Sequence, residues 1–366
     1  MTTIEKLDPK EFEQVIYCRD SEAGLNAIIA IHDTTLGPGV GGIRMYPYPS
    51  EEMALNDVLR LAKGMTYKAA ISGLAFGGAK SVIIGDPEKN KTEKLLKRFA
   101  DFVNDLKGQY ICAKDVGIHA ADLRMLHSKT KYILGVGGAK NSSGDPSPAT
   151  AFGVLQGIRA IAQKVLGRAS LDGLSFAIQG VGAVGHYIAQ DLQSEGARLS
   201  ICDVDQRALE CCLEKFNAHV VHPDKIYDVK CDFFVPCAMG AVLNSETIPR
   251  LKCRVVAGSA NNQLATFNDG LALARRGIFY APDYVINAGG LINIAEELGG
   301  YHREKAFDHV AKIYHAMINI IKRSEEEKEP PFMMADRIAR EIVANKKKRI
   351  NPELKRKSSG KQFLHI

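Results

Sequence analysis

Two lysines and one aspartate stand where their charges are costly unless they serve a substrate. Lys68 follows Leu61 and Met65 at spacings of four and then three residues, on one face of a predicted helix. Lys80 follows a predicted glycine turn and comes just before a strand predicted over Ser81–Ile84. Asp115 ends another predicted strand, where the sites of α/β proteins gather. A buried ammonium needs an anionic partner, and a lysine crowded by another cation can lose its proton and act as a base. Together they predict a site for a substrate with a carboxylate and a polarised carbonyl or imine carbon.

A second constellation has the spacing of a dinucleotide-binding loop. Gly180, Gly182 and Gly185 lie between a predicted strand and a predicted helix, and Asp203 ends the following strand, 23 residues after Gly180. These glycines allow a tight turn, a close approach of the pyrophosphate and packing of helix on strand, while the helix amino end faces the negative charge. Asp203 would accept from the ribose hydroxyls and repel a 2′-phosphate, which predicts NAD, although Arg207 leaves NADP open. The predicted cofactor loop is Gly180, Val181, Gly182, Ala183, Val184 and Gly185.

The elements that must position these residues alternate between strand and helix patterns. This alternation predicts an α/β fold with mainly parallel sheets. A segment rich in glycine, serine and proline, 135–148, has no apolar periodicity and marks a domain boundary. We therefore expect two domains separated by a cleft, residues 1–135 for the substrate and 145–330 for a Rossmann-type NAD-binding domain. The C-terminal helix, 331–366, is expected to complete the first domain.

Composition and charge exclude several classes of protein. The 366 residues are 25% charged and 46% hydrophobic, which is typical of a globular protein, and no apolar run reaches the roughly 18 residues of a membrane span. Eight cysteines without a CxxC pair predict reduced thiols in the cytoplasm and no metal site. The basic tail from residue 345 on carries a charge of +7, which leaves −1 for the rest of the chain, so nucleic acid is not expected as a partner.

Eleven segments, in order, carry a resemblance to a known family. They run from residue 29 to past residue 293 and read IAIHDTTLGP, GGIR, RLAKGMTYKAA, GGAKSVIIGDP, AKDVG, DPSPATAFGV, QGVGAVG, CDVD, PCAMGAV, AGSANNQL and APDYVINAGGLIN. The chain resembles the Glu/Leu/Phe/Val amino-acid dehydrogenase superfamily, and within it the leucine dehydrogenases. The resemblance implies reversible oxidative deamination of an amino acid to a 2-oxo acid and ammonia, with NAD as hydride acceptor.

The resemblance also implies roles for individual residues. Lys68 would anchor the substrate α-carboxylate, Lys80 would activate the water that attacks the imine carbon, and Asp115 would move protons to and from the amino group. Positions that line the substrate site in the family are matched by Gly41, Gly42, Met65 and Asn262. Positions close to the nicotinamide end of the cofactor are matched by Thr150, Cys237, Ala238 and Asn261, and Gly240 is assigned to the cofactor site with them.

The side-chain pocket predicts which amino acid is used. Glutamate dehydrogenases carry a lysine before Gly-Gly-Ile/Leu-Arg, and it binds the substrate γ-carboxylate, whereas Val40 takes that place here. A γ-carboxylate buried against Val40 without a partner would be strongly disfavoured. The other pocket positions are Ala113, Leu291 and Ile294, all apolar. Because one methylene in such a pocket is worth only ~1–3 kcal/mol, leucine, isoleucine and valine are all expected as substrates.

Alternatives remain open at this point. A valine- or phenylalanine-preferring enzyme of the same superfamily fits the same motifs, and so does a non-catalytic NAD-binding regulatory protein. Retention of Lys68, Lys80 and Asp115 disfavours the regulatory protein. The resemblance further implies a homo-oligomer, an octamer, whose subunit contacts involve the first domain, and it implies no membrane partner.

Overall fold

The computed structural model describes residues 9–138, 142–238 and 240–350, which form two compact units. The N-terminal unit comprises the described residues up to 137 together with those from 336 on. The central unit comprises the described residues from 138 to 335. The helix at the end of the described chain belongs to the central unit up to 335 and to the N-terminal unit beyond it. The last part of the predicted C-terminal helix, 351–366, lies outside the described residues.

The elements alternate much as the sequence patterns predict. The strands are β1 Gln14–Asp20, β2 Leu25–Asp33, β3 Gly39–Tyr46, β4 Gly77–Ile84, β5 Tyr110–Lys114, β6 Ser175–Gln179, β7 Arg198–Cys202, β8 His219–Val220, β9 Phe233–Pro236, β10 Val255–Val256 and β11 Phe279–Tyr280. The helices are α1 Glu51–Ile71, α2 Glu93–Asp105, α3 Ala120–His127, α4 Ser147–Val165, α5 Ala183–Ser194, α6 Gln206–Leu213, α7 Phe267–Arg275, α8 Asp283–Ile286, α9 Gly289–Ala295, α10 Arg303–Ala311, α11 Ile313–Glu327 and α12 Pro331–Ile350.

The N-terminal unit is built on a five-stranded sheet in the order β1-β2-β4-β3-β5. Strand β2 is antiparallel to both neighbours, whereas β3 is parallel to β4 and to β5, so this sheet is mixed rather than mainly parallel as expected. One face packs on α1, where Val58 and Leu59 are fully buried. The other face packs on α2, around the fully buried Phe99. Two apolar layers thus hold β3, β4 and β5 in register.

Strand β4 begins at Gly77, four residues before the predicted start at Ser81, so the expected glycine turn before Lys80 is wrong. The two glycines are needed for close packing. A Cβ on Gly77 would lie 2.1 Å from the carbonyl oxygen of Asp33, and one on Gly78 would lie 2.1 Å from the amide nitrogen of Thr66. The glycines bring β4 against β2 and α1, and Lys80 becomes a strand residue.

The central unit contains a six-stranded sheet in the order β11-β10-β9-β6-β7-β8, and each of these strands is parallel to its neighbours. Consecutive strands on either side of β6 give this sheet the Rossmann-type arrangement, with the glycine loop between β6 and α5. Phe176 and Phe233 stack with ring centroids 4.8 Å apart in its core. Helices α4 and α11 pack closely, because a Cβ on Gly153 would lie 2.8 Å from Ile313 Cδ1.

The described residues were also compared with the requirements of a membrane span, a metal site and a disulfide. No described helix has both the length and the apolarity needed to cross a bilayer. No group of three or more histidine, cysteine, aspartate or glutamate side chains within the described ranges could hold a metal ion. All eight cysteines are free thiols, and burial raises the pKa of several of them, including Cys202 to about 11.

Candidate active site

Lys80 and Asp115 form a buried ion pair across β3. Lys80 Nζ lies 2.6 Å from Asp115 Oδ2, and the two side chains are 8% and 17% exposed. Strands β4 and β5 both flank β3, so a residue of β3 must fit between the two groups. That residue is Gly42: a Cβ there would lie 2.7 Å from Asp115 Cβ and 3.1 Å from Lys80 Nζ. The predicted catalytic pair and a predicted substrate-site glycine therefore form one unit of structure.

Arg44 links Asp115 to a second carboxylate, that of Asp57. Arg44, on β3, donates from Nε to Asp115 Oδ2 at 3.1 Å and from Nη1 to Asp57 Oδ2 at 2.8 Å. Tyr48 donates its hydroxyl to the same oxygen of Asp57 at 2.6 Å. The sequence analysis gave these three residues no role. A signal was present, because Asp57 lies four residues before Leu61 and thus on the helix face that carries Lys68.

The two cations keep Asp115 ionised. Burial by itself raises the pKa of Asp115, but the charges of Lys80 and Arg44 outweigh this and lower the pKa to about 2. Burial also acts to lower the pKa of Arg44, and Asp115 and Asp57 raise it above its usual value. The side chain next to Asp115 in sequence, Lys114, is exposed. The site therefore holds a carboxylate able to accept a proton, next to the guanidinium of Arg44 and the ammonium of Lys80.

The remaining predicted substrate residues of this unit lie on the same strands and on α1. Val40 is 1% exposed and is paired with Gly78 on β4 and with Ile111 on β5. Gly41 and Gly42 are opposite Cys112 and Ala113, and the carbonyl oxygen of Gly41 accepts a hydrogen bond from the fully buried Tyr110 hydroxyl at 3.1 Å. Met65 and Lys68 lie half-buried in the last two turns of α1.

In the central unit, the glycine loop has the shape of a dinucleotide site. Gly180 has φ +92°, and a Cβ on Gly185 would lie 2.1 Å from the Gly180 carbonyl oxygen, so both positions need glycine. A Cβ on Gly182 would meet no atom within 4 Å, and α5 begins there without a side-chain cap. Val181 donates its backbone N–H to Asp203 Oδ2 at 2.7 Å. Open space before uncapped amide groups, next to a carboxylate, fits a pyrophosphate and a ribose.

The predicted nicotinamide-end residues lie on loops next to this one. A Cβ on Gly180 would lie 2.9 Å from Ala238 Cβ, and one on Gly185 would lie 3.2 Å from Cys237 Cβ. The loop after β9 also contains Gly240, and a Cβ added there would lie 2.7 Å from the carbonyl oxygen of Asn261 in the loop after β10. The neighbouring Asn262 has φ +52°, a left-handed conformation that asparagine tolerates better than most residues.

Asn287, to which the sequence analysis assigned no role, holds the loop that follows β10 in place. It is 5% exposed and donates from Nδ2 to Asn261 Oδ1 at 2.8 Å and to the Ser259 carbonyl oxygen at 3.1 Å. The sequence hinted at a role for Asn287 only through its position in the segment DYVINAGG, between the predicted site residues Asn262 and Leu291. Asn287 thereby fixes the side chain of a predicted cofactor residue.

The other predicted residues of the central unit lie on α4 and α9. Thr150 donates its hydroxyl to the Pro146 carbonyl oxygen at 2.9 Å, and a Cβ on Gly290 would lie 2.6 Å from Thr150 Oγ1. Leu291 and Ile294 are half-buried and three residues apart, on one face of α9. The amino ends of α4 and α9 therefore meet closely, with Thr150 and Leu291 near their contact.

Comparison with known proteins decides the family. The Glu/Leu/Phe/Val dehydrogenase dimerisation domain matches residues 12–132, and the Glutamate/Leucine/Phenylalanine/Valine dehydrogenase domain matches 142–205 and 203–349. The chain belongs to this dehydrogenase family. It is 49% identical to the leucine dehydrogenase of Thermoactinomyces intermedius, over 94% of each chain. It is 45% identical to the phenylalanine dehydrogenase of Bacillus thermotolerans, over 95% of this chain and 92% of that one.

A solved structure agrees with this membership. The crystal structure of L-tryptophan dehydrogenase from Nostoc punctiforme has a TM-score of 0.80 and is 42% identical, over 92% of this chain and 97% of that one. The protein is therefore an amino-acid dehydrogenase that uses a nicotinamide cofactor. The prediction of an α/β fold with a Rossmann-type domain is confirmed.

Proposed function

We propose that this dehydrogenase catalyses the reversible, NAD-dependent oxidative deamination of L-leucine, and also of L-valine and L-isoleucine, to 2-oxo acids and ammonia. The observation that carries the proposal is the buried Lys80–Asp115 pair on strands that also bury the apolar Val40. The pair supplies acid–base chemistry for an amine. The apolar side chain suits an aliphatic substrate rather than a dicarboxylic one.

Each charged group would have a separate task. Lys68 binds the α-carboxylate and so orients Cα, which removes much of the entropic cost of reaction. Lys80, once it has released its own proton to solvent, takes a proton from the water that attacks the imine carbon, and Asp115, held as an anion, exchanges protons with the amino group. Bound NAD supplies the hydride acceptor. Arg44, which stays charged, keeps a positive potential beside Asp115 throughout.

The choice among amino acids would depend on apolar contacts. Val40 and Ala113 are buried on β3 and β5, and Met65 is half-buried on α1. None of these side chains can pair with a γ-carboxylate. Contacts of this kind distinguish substrates that differ by one methylene by only ~1–3 kcal/mol, so the three branched-chain amino acids should all be used.

NAD rather than NADP is favoured by Asp203. Its Oδ2 accepts from the backbone of the glycine loop and its Oδ1 accepts from Asp205 N–H at 2.9 Å, so the carboxylate is held in place at the end of β7. A fixed negative charge there repels a 2′-phosphate and accepts hydrogen bonds from ribose hydroxyls.

The assembly is proposed to be a homo-oligomer, an octamer, located in the cytoplasm. The match of residues 12–132 to a dimerisation domain supports self-association, and eight free thiols suit a reducing compartment. Sedimentation equilibrium of the purified protein measures the subunit count. A mass of two or six subunits would exclude the octamer and leave the proposed reaction untouched.

The reaction is tested by NADH formation at alkaline pH with leucine, valine, isoleucine, phenylalanine and glutamate. We expect turnover of the three aliphatic amino acids and its loss in K80A. The matched control is K97A, since Lys97 is a partly exposed residue of α2 that pairs with Glu93. Faster turnover of glutamate or phenylalanine would contradict the apolar-pocket argument, and binding of NAD without turnover of any substrate would favour a non-catalytic protein.

A further inference from the structure

Asp115 receives both of its cationic partners on one oxygen. Lys80 Nζ lies 2.6 Å from Oδ2, and Arg44 Nε lies 3.1 Å from the same atom. The two donors differ in kind. An ammonium on a flexible stem can donate in any of several directions, whereas the N–H groups of a planar guanidinium point in fixed directions. Arg44 is therefore the partner that can set the orientation of the carboxylate plane.

Arg44 is itself prevented from turning. Its Nη1 donates to Asp57 Oδ2 at 2.8 Å, and that oxygen also accepts from the Tyr48 hydroxyl at 2.6 Å. The other oxygen of Asp57 accepts from Arg60 Nη2 at 3.4 Å. The side chains of Arg44 and Asp57 are only 18% and 15% exposed, so solvent screens this interaction weakly. The guanidinium thus bridges α1 and β5.

The bridge also sets the electrostatic balance at Asp115. The titratable groups on the elements around it are Lys80 on β4, Arg44 on β3, Asp57 and Lys68 on α1, and Tyr110, Cys112 and Lys114 on β5. Arg44 pairs with both carboxylates, and the negative charge of Asp57 partly offsets the effect of the guanidinium on Asp115. Loss of Arg44 should therefore raise the pKa of Asp115, whereas loss of the Asp57 charge should lower it.

We propose that Arg44, held by Asp57, is a positioning residue that orients Asp115 for proton exchange with the substrate amino group. This inference rests on the proposed function, because it assigns Asp115 to that exchange. Arg44 acts through Asp115 and needs no contact with substrate or cofactor.

The test uses four variants of the full-length protein, R44M, R44K, D57N and R44M/D57N, with the amino acid that the wild type oxidises best. We expect kcat to fall about 100-fold in R44M and about 10-fold in R44K, because lysine keeps the charge but cannot direct two fixed donors. KM for the amino acid and for NAD should stay within about two-fold, since Lys68 and the glycine loop are unchanged. D57N should lower kcat about 10-fold alone and have no further effect in the R44M background.

The pH profile distinguishes positioning from a merely structural role. In reductive amination, the ratio of kcat/KM at about pH 6 to that at about pH 8 should fall in R44M, because Asp115 then protonates more easily. The ratio should not fall in R44K or D57N, which keep the cation. R19M is the matched control, since Arg19 forms an exposed ion pair with Glu51 at the start of α1.

The outcomes separate the two proposals. A wild type that oxidises no amino acid overturns the proposed function. With an active wild type, an R44M variant that keeps kcat within about two-fold, or additive effects of R44M and D57N, overturns the role of Arg44. Thermal unfolding of each variant identifies a folding defect, and a kcat loss in R44K and D57N that only follows lost stability also counts against the proposal.

Discussion

Replacing Gly42 by alanine tests how closely the active-site strands must approach. The new Cβ would lie 2.7 Å from Asp115 Cβ, 2.9 Å from the Lys114 carbonyl oxygen and 3.1 Å from Lys80 Nζ. Lys80 Nζ can move aside because it ends a flexible side chain. The Lys114 carbonyl oxygen and Asp115 Cβ cannot, because the first is a backbone atom and the second is bonded to the backbone. Gly42 does not have a positive φ, so the cost of G42A is steric rather than conformational.

The size of the effect follows from these distances. An ordinary contact needs at least 3.4 Å, so Asp115 must retreat by about 0.7 Å. Overpacking of this kind costs roughly 1–3 kcal/mol in the free energy of unfolding. The 2.6 Å contact between Lys80 and Asp115 would lengthen beyond a good hydrogen bond. Because misplacement by about 1 Å can cost about 100-fold in rate, we expect kcat to fall between 10- and 100-fold.

The assay combines initial rates of leucine oxidation with urea unfolding. G64A is the matched control, since a Cβ on Gly64, within α1, meets no atom within 4 Å. That change should raise the free energy of unfolding by roughly 0.5–1 kcal/mol, the usual gain of alanine over glycine in a helix. A G42A protein with wild-type kcat and wild-type stability would refute the claim that β3 needs glycine at this point.

Three further predictions concern other charges. D203A should raise the Kd of NADH about 10- to 100-fold and leave that of NADPH less affected, as measured by fluorescence titration, because a charged acceptor for Val181 N–H and the ribose is lost. Since the pKa of Asp115 is lowered to about 2, its ion pairs stabilise the fold above about pH 4, and this contribution of about 2 kcal/mol is lost as the pH falls to about 2. The free energy of unfolding of D115N, measured over the same pH range, should lack this decrease. K347M should cost roughly 1–3 kcal/mol in urea unfolding, because Lys347 lies 2.7 Å from Asp33, which is 6% exposed; equal stability of K347M and wild type would contradict this.

The predicted cofactor site could be recognised mostly from local sequence pattern. The glycine spacing and Asp203 lie within 24 residues of chain, and the loop, the helix and the next strand follow one another directly. Such a site is made of neighbouring elements, so its geometry depends little on the rest of the fold. The structure adds that Asp203 itself receives Val181 N–H, a contact that spacing alone does not show.

The substrate side depended more on long-range pairing. Strand β3 was not identified from sequence, and β4 was placed too late, because glycines were interpreted as turn residues rather than as points of close approach. Periodicity cannot reveal which strand lies between which others, so the position of Gly42 between Lys80 and Asp115 was not predictable from spacing. The mixed direction of this sheet was missed for the same reason.

The sequence by itself determined the family and was enough to predict Lys68, Lys80 and Asp115 as catalytic residues and Val40 as an apolar pocket residue, because these depend on residue type within motifs. Only the tertiary structure decided that Arg44 joins Asp115 to Asp57, since those carboxylates are 58 positions apart in the chain. Charge–charge interactions depend on distance in space, and that distance is set by the order β4-β3-β5 and by the packing of α1. The residue types at the predicted site thus follow from short sequence motifs, whereas the distances between these residues depend on the order of the strands in the whole sheet.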